Sequence, residues 1–144
     1  MNIINIAKKI WKWRWLLRSL PSTIYFNFHY LPISQAVHLP ILLYKPTLKS
    51  LKGKVIIEGK ATTGRIVLGR NIVTLFPNQG FTYENVGGTI VFKGRCIVGN
   101  ASSICIGKDA RLTIGGGTCV SAAMKLACYK SITLHENVRI GWDV

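Results

Sequence analysis

The sequence predicts a mainly β protein, in which a parallel β-helix of hexapeptide repeats follows an N-terminal amphipathic helix. Three observations predict this fold. Residues 3–20 place apolar side chains at spacings of three and four, which is the period of one helix face. From residue 53 onward, short β-branched runs alternate with Gly, Asn and Asp, and the helical period disappears. In the same part, an aliphatic residue followed by a turn recurs every six or eight residues, which indicates internal repeats.

The helix predicted over residues 3–20 carries two apolar surfaces and ends at Pro21, which cannot continue it. A smaller patch holds Ile4, Trp11 and Trp15, and three lysines lie opposite the larger stripe. Two interpretations stay open. Either the stripe packs on the body of the protein or on a neighbouring subunit, or the helix lies on a membrane surface, with Trp at headgroup level and cations facing anionic lipid. The larger stripe consists of Ile3, Ile6, Ile10, Trp13, Leu17 and Leu20.

The segment that follows, residues 24–44, is rich in aromatic residues and interrupted by prolines, so it predicts short elements only. We expect a short strand or extended run near residues 24–30 and a helical turn near residues 33–38. The segment contains His29 and His38, and we interpret both as packing or surface residues rather than as catalytic groups.

The repeats of residues 53–144 have a physical interpretation at each position. An aliphatic residue at position i points into the core, positions i+1 to i+3 turn a corner where Gly and Asn tolerate positive φ, and position i+4 starts the next strand. Six residues per side and three sides predict coils of about 18 residues, so about five coils fit in this region. A β-sandwich is disfavoured, because its turns come about every 8–12 residues. Residues 1–52 then form a separate N-terminal region of helix and connecting segment. The repeats begin at Leu68, Val98, Ile106, Ile114, Leu134 and Ile140.

Charge also separates the two regions. The chain of 144 residues has 19 Lys and Arg against 5 Asp and Glu, a net charge of +14. Residues 1–60 hold ten of the basic residues and one acid, Glu58, which predicts an anionic partner for the front of the chain. Nucleic acid is disfavoured as this partner, because the sequence contains no recognition motif and no aromatic stacking module.

The cysteines predict neither a disulfide nor a metal site. They form no C-x-x-C pair, so we interpret them as reduced thiols buried in the core, and the histidines lack metal-ligand spacing. No run of about 18 apolar residues occurs without charge, and charges interrupt every candidate signal-peptide core. We therefore expect a cytoplasmic chain, either free or peripheral on the inner face of the membrane. The cysteines are Cys96, Cys105, Cys119 and Cys128.

A family resemblance rests on three stretches, residues 25–32, 51–59 and 136–143, together with the aliphatic-Gly repeat. On these residues the chain resembles the hexapeptide-repeat acyltransferases, and within them the bacterial O-acetyltransferases of surface-polysaccharide gene clusters. The resemblance implies a left-handed β-helix, acetyl-CoA as acyl donor, a sugar or glycan hydroxyl as acceptor, and a homotrimer with active sites in the grooves between subunits. It also implies a catalytic histidine that accepts the hydroxyl proton as the oxygen attacks the thioester.

The chain departs from the family pattern after Asp143. In similar proteins a D-x-D-F-H type segment with the catalytic histidine follows the Gly-Trp-Asp run; no matching histidine is present here, so the catalytic residue stays unassigned. His135 occupies a corner position, and we interpret it as a surface residue. Trp142 and Asp143 either line the mouth of the substrate site or are ordinary corner residues. We expect the 144 residues to be a fragment or a truncated product, and the alternative function to be a non-catalytic scaffold or trimerisation module.

Overall fold

The computed structural model describes residues 2–143, apart from the side chain of Lys12, and it confirms a mainly β chain with a β-helix behind an N-terminal helix. The chain starts with helices α1 (Ile3–Arg18), α2 (Leu20–Tyr30) and α3 (Ile33–Ala36). Within the described residues, the helices are too short or too polar to cross a membrane. Val144, which belongs to the predicted repeats, lies outside the described residues.

Helix α2 occupies the place of the strand predicted near residues 24–30, and that prediction is wrong. Pro21 lies in the first turn of α2, where its missing N–H has no helical partner to lose. Asn27 explains why the segment is helical: its side chain donates to the carbonyl oxygen of Ile41 at 2.7 Å and accepts from the N–H of the same residue at 3.1 Å. This tertiary contact overrides the strand preference of the aromatic residues. The helical turn predicted near residues 33–38 is confirmed by α3.

The strands wind in chain order around a three-sided prism, and three successive strands make one coil. The coils are β1 (Ile41–Leu43), β2 (Pro46–Leu51) and β3 (Lys54–Ile57); β4 (Ile66–Arg70), β5 (Phe81–Asn85) and β6 (Thr89–Phe92); β7 (Cys96–Gly99), β8 (Ser102–Ile106) and β9 (Arg111–Ile114); β10 (Thr118–Val120), β11 (Lys125–Cys128) and β12 (Ser131–Leu134); and the start of a fifth, β13 (Arg139–Ile140). Each strand pairs in parallel with the strand three places further on. We call β1-β4-β7-β10-β13 the first sheet, β2-β5-β8-β11 the second and β3-β6-β9-β12 the third.

The β-helix starts earlier than predicted, and its coils are longer. Strand β1 begins at Ile41 rather than near residue 53, because Pro40, Pro46 and their aromatic neighbours hide the strand pattern in the sequence. Paired residues are 22 apart between β7 and β10 and 20 apart between β10 and β13, rather than about 18. The extra residues lie in the corners.

The interior and the corners follow the predicted repeat in the later coils. Val98, Ile106 and Ile114, all at position i, are buried. The repeat that begins at Leu68 does not follow this pattern. There the chain leaves the prism, and Ile72 at position i+4 is exposed instead of starting a strand. Elsewhere the residue at i+3 has the positive φ expected of a corner, namely Ala101 (61°), Asp109 (61°), Gly117 (79°), Asn137 (60°) and Asp143 (59°).

The four cysteines are free, as predicted, but only two of them lie in the core. Cys96 and Cys128 are buried, whereas Cys105 and Cys119 are half-buried because they occupy outward positions on strands whose side chains alternate. Burial raises the pKa of the Cys96 thiol from 9.0 to about 12, with a smaller contribution from Cys119. The Cys96 thiol therefore stays protonated at neutral pH.

Candidate functional site

One corner of the prism, between the first and second sheets, carries the longest insertion of the β-helix. In the second coil this corner is expanded into a ten-residue loop, whereas in the third coil Asn100 and Ala101 alone connect β7 to β8. Trp142 and Asp143 lie at the same corner after β13. We call it the loop corner, and it comprises residues 44–45, 71–80, 100–101, 121–124 and 141–143.

The loop of residues 71–80 is held at its base by Asn100, whose side chain is fully buried. Its Nδ2 donates to the carbonyl oxygen of Pro77 at 2.8 Å. Its Oδ1 accepts from the backbone N–H groups of Gln79 at 2.8 Å and Gly80 at 3.1 Å. Because a buried amide with these partners is costly to displace, Asn100 fixes the shape of the loop.

The middle of the loop lies against the next coils. Val73 and Phe76 pack on a cluster of small residues at the corners below. The ring of Phe76 also lies 6.4 Å, centre to centre, from that of Trp142. The loop therefore runs along the outside of the prism from the second coil to the fifth. The small residues beneath it are Ala101, Ala122 and Ala123.

A pocket of about 220 Å³ opens at the upper end of the loop corner, where the C-terminal half of α1 meets the loop. Lys45 Nζ donates to the carbonyl oxygen of Asn78 at 2.6 Å and lies 5.2 Å from the centre of the Trp15 ring. Burial raises the pKa of the Tyr44 hydroxyl, although the positive charge of Arg70 opposes this shift. The pocket is lined by Trp13, Trp15, Tyr44, Arg70, Asn71 and Asn78.

The pocket combines flat aromatic walls with positive charge. Two further cations lie near its indole wall, since the guanidinium carbons of Arg14 and Arg18 are 5.0 Å and 5.4 Å from the centre of the Trp15 ring. Guanidinium and ammonium groups bind phosphate, and aromatic rings stack on flat ligand rings. The arrangement therefore suits an anionic ligand that carries a planar ring.

The structure places Trp142 and Asp143 together at the lower end of the loop corner. Trp142 is 51% exposed, and the centre of its ring lies 6.4 Å from that of Phe76 in the loop. Asp143 is exposed and has the positive φ of a turn residue, so its geometry is that of a corner residue. A role in substrate binding stays a prediction for both residues.

The histidines lie away from the loop corner. His135 is exposed in the turn between β12 and β13, at the corner between the third and first sheets. His29 Nε2 lies 2.6 Å from the carbonyl oxygen of Leu51, and His38 is exposed. These positions agree with the interpretation of all three as packing or surface residues.

The upper pocket is not predictable from the sequence. Its residues come from three separated segments, and in the sequence its aromatic residues stand on a helix surface or in connecting chain. The local signal was the interruption of the repeat after Arg70: the next copy does not follow at six or eight residues, and Pro77 and Gly80 stand in between. An insertion at a repeat corner marks the face on which repeat proteins carry binding loops.

Among residues 2–143, no three His, Cys, Asp or Glu side chains are grouped closely enough to hold a metal ion. No protein-family model, curated protein or solved structure matches the chain. The fold and the loop corner are therefore the basis for a functional assignment.

Proposed function

We propose that this chain belongs to an acetyl-CoA-dependent O-acetyltransferase that modifies a sugar or glycan hydroxyl in surface-polysaccharide biosynthesis. The observation that carries the proposal is the cationic and aromatic pocket, which lies on a parallel β-helix where the repeat is interrupted. CoA offers the matching chemistry, since it has phosphate groups at one end and a planar adenine ring. The resemblance of the sequence to hexapeptide-repeat acyltransferases supports the same assignment.

In this proposal the two ends of the loop corner have different roles. Arg70 and Lys45 bind phosphate groups of CoA, and the indole ring of Trp15 stacks on its adenine. At the lower end, Trp142 offers an apolar face to the acceptor sugar, and the Asp143 carboxylate accepts hydrogen bonds from its hydroxyls. The thioester then lies between them, beside the loop of residues 71–80.

The reaction requires a base that this proposal does not assign. The acceptor hydroxyl oxygen forms a bond to the thioester carbonyl carbon, the carbon–sulfur bond breaks, and the hydroxyl proton passes through the base to the leaving thiolate. Because the three histidines lie away from the loop corner, none of them is proposed as this base. Backbone N–H groups at a corner are suited to stabilise the developing oxyanion.

The acyl donor site is tested by calorimetric titration of the purified chain with CoA. We expect measurable binding, and an affinity about tenfold lower in Arg70→Gln, because one charge-assisted contact to phosphate is lost. Arg111→Gln removes an exposed arginine from the third sheet and serves as the matched control. Equal affinities in the two variants would contradict the placement of CoA at this pocket.

A homotrimer is part of the same proposal, and the outer face of the first sheet supports it. The side chains stacked in register along the middle of that face are apolar over four strands, which suits a flat subunit contact. We expect Ile97→Glu to reduce the mass measured by light scattering, whereas Thr133→Glu on the third sheet leaves it unchanged. The same mass for both variants would exclude this face. The strip consists of Leu42, Val67, Ile97 and Cys119.

The second candidate is a non-catalytic β-helix scaffold that assembles with itself. The positions of the histidines favour it, because none of them faces the proposed acceptor site. Acetyl-CoA turnover in the presence of a sugar acceptor distinguishes the two functions. A stable assembly with neither CoA binding nor turnover would support the scaffold, whereas transfer to the sugar would exclude it.

A further inference from the structure

Helix α1 leaves most of its apolar surface uncovered. Its larger stripe includes Ile3, Ile10 and Leu17, which are 81%, 59% and 58% exposed. One shallow groove runs along this stripe and another along the smaller patch, and both are lined by residues of α1 alone. The stripe therefore contacts the body of the same chain only towards its C-terminal end, where Trp13 lines the pocket, and most of it stays uncovered.

The attachment of α1 to the rest of the molecule is confined to its C-terminal end. Trp13 and Trp15 line the pocket at the loop corner. Ser19, which follows the helix, is buried, and its hydroxyl accepts from the backbone N–H of Lys45 at 2.8 Å. The first ten residues of α1 thus project from a fixed base.

The charge of α1 is entirely positive. It contains Lys8, Lys9, Lys12, Arg14 and Arg18 and no acidic residue. The guanidinium carbon of Arg14 lies 3.7 Å from the centre of the Trp11 ring, so a cation is stacked on an exposed indole. Tryptophan with an adjacent cation is the side-chain combination that the headgroup region of a bilayer favours.

We propose that α1 binds the surface of an anionic lipid bilayer and holds the β-helix next to it. In this arrangement the uncovered stripe residues Ile3, Ile6 and Ile10 enter the acyl boundary, while the indole of Trp11 and the stacked Arg14 lie at the headgroups. A protein groove would cover one apolar stripe, but α1 exposes two that are separated by arginines. A bilayer interface accommodates both, because arginine side chains extend to the phosphates while their stems stay among apolar groups.

The chemistry of the partner follows from the charge. Five cations without a carboxylate in one helix attract phosphate-bearing lipid headgroups, and each cation near an anionic surface adds to binding. The helix lies along the surface rather than across it, because the described helices are too short or too polar to span a membrane. This inference does not depend on acyl transfer.

Sedimentation of the full chain with lipid vesicles tests the proposal. We expect it to pellet with vesicles that contain phosphatidylglycerol and to stay in solution with pure phosphatidylcholine. The partition coefficient should fall about tenfold in the double variant Ile6→Ser/Ile10→Ser, since two apolar side chains leave the acyl boundary. It should fall about as much in Lys8→Gln/Lys9→Gln, and added salt should weaken binding of the unchanged chain.

Matched controls separate the helix from the general charge of the protein. Ile56→Ser and Lys130→Gln remove an exposed isoleucine and an exposed lysine from the β-helix, and both should bind vesicles like the unchanged chain. Circular dichroism confirms that each variant is folded. Equal pelleting with neutral and anionic vesicles, or no pelleting at all, would overturn the proposal. So would a lower molecular mass in the Ile6→Ser/Ile10→Ser variant without lipid, because the stripe would then be a contact between copies of the chain.

Discussion

The first two coils of the β-helix contain more residues per turn than the next two, although the strands of all four pair in the same way. Paired residues are 30 apart between β4 and β7 and 35 apart between β3 and β6, but 22 apart between β7 and β10 and 20 apart between β9 and β12. The early coils carry the loop of residues 71–80 and the contacts with helix α2, whereas corners of a few residues join the strands of the later coils.

The difference shows that one part of the fold is a regular support and another part carries the candidate binding pocket. The later coils stack interior side chains in register, so each strand positions the next and insertions at their corners are short. The early coils keep the same strand pairing but add chain at two corners, residues 58–65 and residues 71–80, and the upper pocket lies at the second of them. The loop rests on the corners of the later coils, so the regular part of the prism supports the irregular part.

The largest effect is expected where helix α2 closes the first coil. Phe26 is buried, and its ring centre lies 4.9 Å from that of Tyr30 and 5.1 Å from that of Tyr83. Phe26→Ala should lower the free energy of unfolding by about 3–5 kcal/mol, because it leaves a cavity between rings that cannot collapse. Leu134→Ala, at a half-buried position in the fourth coil, should cost clearly less. Urea unfolding followed by circular dichroism gives both values, and equal costs would refute the importance of this contact.

The close stacking of the later coils depends on the absence of a side chain at Gly99. A Cβ on Gly99 would collide with the backbone oxygen of Ser121 in the coil below, so Gly99→Ala should destabilise the chain by about 1–3 kcal/mol. Gly141 holds the same repeat position after Ile140, but a Cβ there would meet no described atom within 4 Å. Gly141→Ala should therefore leave the thermal midpoint nearly unchanged. Similar losses in both variants would mean that the glycines act through backbone freedom rather than close stacking.

The regular coils were predictable from the sequence because their chemistry is local. A corner such as that at Asp109 or Asn137 needs a residue that tolerates positive φ, and Gly, Asn and Asp mark these places in the sequence. The interior residue before each corner follows from the same spacing. The early coils were not predictable in this way, because β1 and β2 are recognised only by the strands that pair with them.

Only part of the candidate site could be predicted from the sequence, because the rest depends on contacts between distant segments. Trp142 and Asp143 stand in a stretch that resembles the acyltransferase family, so their substrate-binding role was predicted from that resemblance, and it stays a prediction. The upper pocket depends on Asn100, which holds the loop, and on helix α1, which brings Trp13 and Trp15 to the corner. The pocket brings together residues as distant as Trp13 and Asn78, which are 65 positions apart, and no local pattern encodes such contacts.

An alkaline pH should weaken the stacked coils through a buried thiol. The pKa of Cys96 is raised from 9.0 to about 12 by burial, so the folded state holds its proton where the unfolded state loses it. The stabilisation is complete below about pH 9 and is lost as the pH rises towards 12, by up to about 1.4 kcal/mol per pH unit. Urea midpoints between pH 7.5 and about pH 10 should fall less steeply in Cys96→Ala. Parallel slopes would show that Cys96 does not contribute.

The smallest expected effect has the opposite sign and concerns the corner beneath the loop. Ala101 has a φ of 61°, which costs a residue with a Cβ about 1–2 kcal/mol, whereas glycine at a regular position costs about 0.5–1 kcal/mol in chain entropy. Ala101→Gly should therefore stabilise the chain by about 0.5 kcal/mol, as a small rise in the thermal midpoint. Ala110→Gly, at a buried corner position in the same coil without positive φ, should lower the midpoint. If both changes destabilise, contacts of the Ala101 methyl group with the loop corner outweigh the backbone strain, and the early coils depend on this corner for packing rather than for its conformation.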